Sequence, residues 1–347
     1  MTAGDALQAV LRDPQWLPHA FCADGSKLSF VRVTRDMHRT LPFVDERQLR
    51  DSSEWALIGI DSLLEQLPAI KSGPAHFVFH TAFCCSTLLV NGLAATGSVA
   101  GIKEPAIFAD LMQRLERGQD LRRTRQLELV IRLLARPFEG TKATILKPTC
   151  FASPLMPYLL ATMPGARAVL LHSGVRTFLY SVAKRGLAGR KWGRQVYASS
   201  IKHAPLDLGF SPAQTWEQTD LQIAGLGWLM RRNYFNQSAA RHGPRRVLQV
   251  DGDELARSPI EPLQTVAGHL GLPVAERAWA AAGAGPLFHQ HSKEGRPFGP
   301  RERDSESRKL RDRHQEEVEA VAQWVERIAE HRGIELLEHA GDMRLAS

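Results

Sequence analysis

The sequence has few cysteines and no long apolar run. The first argues against a disulfide-linked or cysteine-metal protein, and the second argues against a membrane-spanning one. Only 4 cysteines occur in 347 residues, and their spacing fits neither a disulfide framework nor a metal site. No window approaches the roughly 18 uninterrupted apolar residues of a membrane-spanning helix. Asp5, Arg12 and Asp13 stand where a secretory signal would need its apolar core. We therefore expect a reduced, cytoplasmic protein without a membrane span.

Basic residues outnumber acidic residues in the chain, 44 to 37. Its formal net charge of +7 suits a polyanionic ligand such as a nucleotide or a sulfate donor. A nucleic acid would suit the same charge, but no recognisable nucleic-acid motif or interleaved aromatic pattern accompanies it. The hydrophobic fraction of 44% is ordinary for a globular protein and allows a sizeable core.

The most informative stretch is residues 77–87, with the sequence FVFHTAFCCST. Residues 77–79 predict a short buried strand, and residues 86–95 predict a helix with leucines on one face. A tight turn between them aims free N–H groups and the positive end of the helix dipole at one point, which is a phosphate-binding geometry. Ser86 and Thr87 are placed to cap the helix and to donate hydroxyls to an anion. An ordinary capped helix after a core strand has the same pattern, so the stretch alone leaves both interpretations open.

Strands and helices alternate from residue 77 onward, which predicts a parallel sheet covered on both faces. Ligands of such sheets bind beyond the carboxyl ends of the strands. The predicted strands are 77–79, 99–102, 143–146, 168–171 and 246–250; the predicted helices are 86–95, 106–116, 121–135, 154–163, 176–187, 215–242, 259–270, 275–282 and 310–331. A polar stretch near 190–212 interrupts this alternation. Residues 283–309 are basic, with Gly and Pro but no period, which is typical of a functional loop.

The expected organisation is one α/β domain at 73–347 with an N-terminal segment at 1–72 that packs on it or caps it. In that segment the pattern predicts a helix near 4–11, a strand near 27–33 and a helix near 61–66. No motif was found in the segment, and no internal repeat occurs in the chain.

Two charged residues stand at the ends of predicted strands. Glu104 follows the second strand, where a carboxylate would reach a hydroxyl that needs deprotonation. A surface glutamate before the helix that Pro105 starts would have the same sequence. Lys147 ends the third strand, and a lysine at a strand end that faces a phosphate-binding loop is more often functional than structural, because an unpaired cation would not be buried there.

In order and spacing, five segments over residues 76–330 resemble sulfotransferases. The complete Gly-x4-Gly-Lys-Ser/Thr phosphate loop is absent. The stretch is similar instead to the sulfotransferase loop, Arg/Lys-Ser-Gly-Thr-Thr: Phe83 takes the basic position, Cys84 and Cys85 take those of Ser and Gly, and Ser86 with Thr87 keeps the hydroxyl pair.

The other segments match single positions of the same family. Glu104 falls on the proposed catalytic base of tyrosylprotein sulfotransferases, and Lys147 falls on their Lys-Asp/Ser-Pro lysine. Arg176 and Ser181 match the second Arg and the Ser of the 3′-phosphate motif, whose first Arg is replaced here by Ser173. Lys293, in His291-Ser292-Lys293, resembles a Ser-Lys pair whose lysine reaches the cofactor.

This resemblance implies a three-layer, P-loop-type α/β fold and transfer of a sulfuryl group from 3′-phosphoadenosine 5′-phosphosulfate to a hydroxyl of an acceptor, without a metal. The roles that it implies are these: the loop with Ser86 and Thr87 holds the 5′-phosphosulfate, Arg176 and Ser181 hold the 3′-phosphate, Glu104 accepts the proton, and Lys147 with Lys293 offsets developing charge. Cys84 and Cys85 are interpreted as turn residues without catalytic work.

Phe83 is the serious departure from the family. Losing a preorganised cation at the leaving phosphate costs about 3 kcal/mol, or about 100-fold in rate. Either another cation such as Lys103 or Lys147 replaces it, or catalysis is lost. A non-catalytic nucleotide-binding protein and a P-loop small-molecule phosphotransferase therefore stay open as alternatives, although the loop has no lysine for ATP.

Overall fold

The computed structural model describes residues 3–44, 49, 54–121, 125–285 and 300–336, with only the backbone described at 300–311. Within these ranges no helix is long and apolar enough to cross a membrane.

In these described ranges, eight strands form two sheets. The strands are β1 (Trp16–Phe21), β2 (Lys27–Arg32), β3 (Trp55–Gly59), β4 (Ala75–His80), β5 (Val99–Lys103), β6 (Ala143–Lys147), β7 (Ala168–His172) and β8 (Val247–Asp251). The first three form an antiparallel sheet in the order β1-β2-β3. The other five form a parallel sheet in the order β5-β6-β4-β7-β8, so β4 lies at its centre.

The described helices include those that cover both faces of the parallel sheet. They are α1 (Ala3–Arg12), α2 (Arg35–Thr40), α3 (Ile60–Glu65), α4 (Ser86–Ala95), α5 (Ile107–Glu116), α6 (Gln126–Leu134), α7 (Met156–Thr162), α8 (Val175–Ala183), α9 (Gly186–His203), α10 (Pro212–Glu217), α11 (Asp220–His242), α12 (Gly252–Arg257), α13 (Ile260–Leu270), α14 (Glu276–Ala284) and α15 (Pro300–His331). Two 3-10 helices add Leu67–Ala69 and Cys150–Leu155.

The core has a layer on each face of the parallel sheet because successive strand side chains point to opposite faces. Phe77 and Phe79 pack with α5, α6, α7 and the small antiparallel sheet. Val78, between them, packs with α4 and α13 on the opposite face. Every residue of β4 to β7 is buried, which is typical of a parallel sheet covered by helices. The predicted α/β fold class is confirmed.

A third cluster joins α8, α9, α11 and α15 beside the sheet. Here the sequence analysis assigned no helix to the polar stretch near 190–212, whereas α9 covers most of it. This helix buries small residues rather than an apolar stripe: a Cβ on Gly193 would lie 2.6 Å from the Ala224 Cβ, and one on Gly227 would lie 2.9 Å from the Tyr197 N. Close helix packing of this kind leaves no hydrophobic period to detect.

Helix boundaries also differ from the prediction, most clearly at two helices. The single helix predicted at 215–242 is divided, because Thr219 forms a second capping box with Gln222 and starts α11 there. The last helix begins at Pro300 instead of 310. Its first turns are rich in Arg, Glu and Lys, which favour helix without an apolar pattern, so the C-terminal part of the predicted loop 283–309 is helical.

Candidate active site

The loop from β4 to α4 has a strained backbone. Ala82, Phe83 and Cys85 have φ values of 72°, 54° and 62°, in the left-handed region that costs an L-residue roughly 1–2 kcal/mol. Gly252 at the start of α12 closes on this loop, because a Cβ there would lie 2.3 Å from the Cys84 carbonyl oxygen. Strain that the surroundings hold in place is typical of ligand sites.

The N-terminus of α4 offers donors to an anion. In the part of the chain that the structure describes, no side chain caps this helix, and its first N–H groups have no partner within the helix. The Thr87 Oγ1 is buried and has no hydrogen-bond partner among the described residues, and Ser86 is buried beside it. An anion at this helix end would satisfy these donors and interact favourably with the helix dipole.

The two loop cysteines contribute backbone rather than thiol chemistry. Burial raises the pKa of the Cys84 thiol to about 12, and its Sγ donates to the Leu171 carbonyl at 3.4 Å. Its thiolate is therefore scarce at neutral pH. Cys85 holds the left-handed position that precedes α4, where glycine is the residue of least strain.

Glu104 and Lys147 meet at the carboxyl edge of the sheet. Lys147 Nζ donates to Glu104 Oε1, and the Glu104 N–H donates to the Lys147 carbonyl at 2.6 Å. The Lys147 side chain has no exposed surface, whereas 22% of the Glu104 side chain is exposed. Glu104 has φ 50°, so its backbone is strained like that of the loop. The two predicted residues therefore lie together as an ion pair with one accessible carboxylate.

His80, at the end of β4, joins this pair and was missed by the sequence argument. Its Nδ1 accepts from the Ala82 N–H at 3.2 Å, its Nε2 lies 3.2 Å from the Pro148 carbonyl, and Nε2 is 3.7 Å from Glu104 Oε1. These partners favour a neutral ring with the proton on Nε2. The available signal was a histidine that ends an otherwise apolar strand.

The N-terminal segment also reaches the site. The Phe43 ring centroid is 5.4 Å from Lys147 Nζ, and the Val44 N–H donates to the Lys103 carbonyl at 2.8 Å. No sequence motif predicted this contact between the N-terminal segment and the site. Lys103 itself is buried, and its Nζ donates to Asn91 Oδ1 at 2.8 Å. Lys103 is therefore engaged by α4 rather than directed at the loop.

Phe83 begins an aromatic cluster. Its ring centroid lies 4.7 Å from that of Trp192 and 5.9 Å from that of Phe178, and Phe151 follows at 6.1 Å from Trp192. The Arg185 guanidinium lies over the Phe83 ring, with its central carbon 4.1 Å from the ring centroid. A cation–π contact thus places a positive charge beside the loop position that lacks its own.

Arg176 and Ser181, predicted to hold the 3′-phosphate, both lie on α8. Arg176 donates from Nε to Glu319 at 2.8 Å and binds Glu326 through its other nitrogens. These carboxylates of α15 raise the pKa of Arg176, the Glu326 hydrogen bond having the largest effect. Ser173, in the place of the first Arg, is buried, and its Oγ has no partner in the described residues. The 3′-phosphate role stays a prediction, and a phosphate would compete with two glutamates for Arg176.

Lys293 lies in 286–299, outside the described residues.

No protein-family model and no curated protein matches this chain. Among solved structures, the chain is similar to sulfotransferases. A sulfotransferase domain from the curacin biosynthetic pathway is 15% identical, with 77% of this chain and 99% of that chain covered and a TM-score of 0.43. A sulfotransferase of Mycobacterium tuberculosis is 16% identical, with coverages of 65% and 75% and a TM-score of 0.40. One of Mycobacterium avium is 10% identical, with coverages of 74% and 79% and a TM-score of 0.39. Identities of this size leave function to be argued from this chain's own residues.

Proposed function

We propose that this protein transfers a sulfuryl group from 3′-phosphoadenosine 5′-phosphosulfate to a hydroxyl group of an acceptor. The observation that carries the proposal is the strained loop with uncapped α4 donors beside the Glu104–Lys147 pair. An anion-binding helix end next to an accessible carboxylate and a buried cation suits group transfer from an anionic donor.

The loop and α4 would hold the 5′-phosphosulfate through backbone N–H groups and the hydroxyls of Ser86 and Thr87. Thr87 supports this role because its buried Oγ1 has no partner among the described residues, and a buried hydroxyl without a partner is uncommon. Arg176 and Ser181 would hold the 3′-phosphate, with Arg176 exchanging its α15 glutamates for the phosphate.

Glu104 would accept the proton of the attacking hydroxyl. As the acceptor oxygen bonds to sulfur, the bond from sulfur to the bridging phosphate oxygen breaks, and its electron pair leaves with adenosine 3′,5′-bisphosphate. Lys147 would stabilise the charge that grows on the oxygens in this step. The existing ion pair preorganises both groups, so no large rearrangement is needed to place them.

Arg185 would supply the charge that the loop lacks at Phe83. Stacking holds its guanidinium carbon 4.1 Å from the centroid of the Phe83 ring, beside the loop position that the resemblance assigns to a basic residue. Lys103 is a weaker candidate because it is buried and bound to Asn91. This assignment favours retained catalysis over a purely nucleotide-binding role.

Calorimetric titration with nucleotides tests the proposal. Adenosine 3′,5′-bisphosphate should bind at least about tenfold more tightly than AMP, since only the former has a 3′-phosphate. Equal affinities, or a preference for ATP with Mg²⁺, would contradict the sulfotransferase assignment and favour the phosphotransferase. Bisphosphate binding without transfer of labelled sulfate to any hydroxylated acceptor would leave the non-catalytic alternative.

A further inference from the structure

Arg231, on α11, is a buried arginine whose charge the described chain does not pair. Only 7% of the residue is exposed, and its Nη1 is buried with no hydrogen-bond partner in the part of the chain that the structure describes. Its guanidinium carbon lies 5.1 Å from the centroid of the Phe151 ring. A buried guanidinium N–H without an acceptor is costly, which points to an acceptor supplied by a ligand.

Two other buried arginines, Arg232 and Arg136, do form hydrogen bonds in the described chain. Arg232 donates from Nη1 to Gln249 Oε1 at 3.0 Å, although its Nη2 has no described partner. Arg136 is 3% exposed and donates to the carbonyls of Leu133 at 2.8 Å and Asp13 at 3.0 Å, as well as to those of Val10 and Trp16. Backbone acceptors thus surround that guanidinium on several sides. Arg231 has no comparable set around Nη1, so packing alone does not account for it.

The position of Arg231 places it at the carboxyl edge of the parallel sheet. One turn earlier on α11, the Trp228 Nε1–H donates to the Ser173 carbonyl at 3.1 Å, just after β7. Phe151, which Arg231 touches, follows the end of β6 by four residues. Since β4 lies between β6 and β7, Arg231 is on the side of the sheet where the β4–α4 loop begins.

Aromatic rings connect Arg231 with that loop. From Phe151 the contacts pass to Trp192 at 6.1 Å and from Trp192 to Phe83 at 4.7 Å between ring centroids. All three side chains are half-buried, so each retains accessible apolar surface. The cluster therefore has the phosphate-binding loop at one end and a buried cation at the other.

We propose that Arg231 binds the acidic group of the acceptor, and that the acceptor is a hydroxylated carboxylate whose apolar body lies along Phe151 and Trp192. The inference rests on the proposed function. A carboxylate matches the planar fork of a guanidinium, and the half-buried rings match an aromatic or aliphatic body. The donor's phosphates belong at the α4 end, beyond the aromatic rings.

Calorimetry with paired probes tests this assignment. The probes are 3-(4-hydroxyphenyl)propanoate and 8-hydroxyoctanoate, each compared with its neutral amide, with and without adenosine 3′,5′-bisphosphate. The wild-type protein should bind at least one carboxylate about tenfold more tightly than its amide. Arg231→Met should abolish that preference and Arg231→Lys should retain part of it. Arg241→Met, which removes an exposed charge from the same helix, should leave it unchanged.

Absence of a carboxylate preference in the wild-type protein, or its survival in Arg231→Met, overturns the proposal. A loss of bisphosphate affinity in Arg231→Met with the carboxylate preference intact would assign Arg231 to the donor instead. Binding of the bisphosphate without a preference for the carboxylate over its amide contradicts the role proposed for Arg231 and leaves the proposed function standing. A carboxylate preference without bisphosphate binding defeats the proposed function and leaves the acid-binding site standing.

The melting temperature without probes gives a second, independent readout. A ligand-binding arginine buried without a partner opposes folding, so Arg231→Met should melt at the wild-type temperature or above it. A structural arginine would behave in the opposite way. A fall of more than about 5 °C in Arg231→Met would therefore count against the assignment.

Discussion

Replacing Glu104 by Gln tests the central pair of the site because it removes one charge and keeps the shape. In the protein, Lys147 Nζ donates to Glu104 Oε1, and the lysine side chain has no exposed surface. The substitution leaves an amide oxygen as hydrogen-bond acceptor but removes the negative charge. Among the described residues, Glu104 is the only ion-pair partner of the Lys147 ammonium. Stability and catalysis should therefore both respond.

The expected loss of stability follows from the burial of each partner. Removing one partner of a fully buried pair costs roughly 3–5 kcal/mol. Since 22% of the Glu104 side chain is exposed and Gln can still accept a hydrogen bond, we expect about 2 kcal/mol. For a chain of this size that lowers the melting temperature by about 3 °C. Loss of the base should lower the turnover rate by about 100-fold or more, with bisphosphate affinity nearly unchanged.

Differential scanning calorimetry and labelled sulfate transfer measure the two effects. Lys147→Met is the matched control for stability, because the carboxylate that it leaves behind is partly hydrated. It should therefore cost less stability than Glu104→Gln, and it should weaken donor binding together with turnover. The double variant should be more stable than the sum of the single losses predicts, by about 1 kcal/mol.

Wild-type turnover in Glu104→Gln would show that the base lies elsewhere. If the stability loss of the double variant equals the sum of the two single losses, the ion pair does not contribute to the free energy of unfolding. Full activity of both single variants would show that the active site does not lie at this edge of the sheet.

Three further outcomes follow from contacts around the pair. Arg185→Ala should weaken bisphosphate binding about tenfold, and adding Phe83→Arg should restore the affinity. Calorimetry measures both variants. If neither changes the affinity, Arg185 does not replace the basic residue that the loop lacks at Phe83. Glu326→Gln should raise bisphosphate affinity about threefold and leave AMP unaffected, since it frees part of Arg176 for the 3′-phosphate; an unchanged affinity ratio argues against that role. Burial lowers the pKa of Lys103 to about 8, below its value in the unfolded chain. The unfolded chain then binds more protons between about pH 8 and 10, so the free energy of unfolding should rise with pH there. Urea denaturation should show this slope in the wild-type protein and a smaller one in Lys103→Met.

The parallel sheet was predictable because its strands are short apolar runs separated by helices of clear period. The helix predicted at 86–95 is α4, Ser86–Ala95, and the predicted strands agree with β4 to β8 within about two residues. The N-terminal sheet was only partly found: β2 was predicted near 27–33, whereas β1 and β3 were not predicted. Burial of β3 is irregular, with both ends partly exposed, so its sequence lacks a clean alternation.

The site divides into a local part and a part made by distant packing. Glu104 and Lys147 were predictable because parallel strands bring their carboxyl ends to one edge. The roles proposed for Arg185 and Arg231 were not, since they rest on contacts with aromatic rings contributed by other elements. A single sequence contains no spacing that links those rings to these arginines.

The charges of the described site are largely paired with one another, and this has a consequence for binding. Arg176 forms ion pairs with Glu319 and Glu326 of α15, so a 3′-phosphate in the proposed site would gain the guanidinium only by displacing these carboxylates. The proposed nucleotide and α15 would then compete for one side chain, and each would weaken the other's contact by the same factor. A surface-accessible pair of this kind is worth about 1 kcal/mol or less, which a dianionic phosphate can offset. Nucleotide binding is therefore expected to loosen the contact between α8 and α15 rather than be prevented by it.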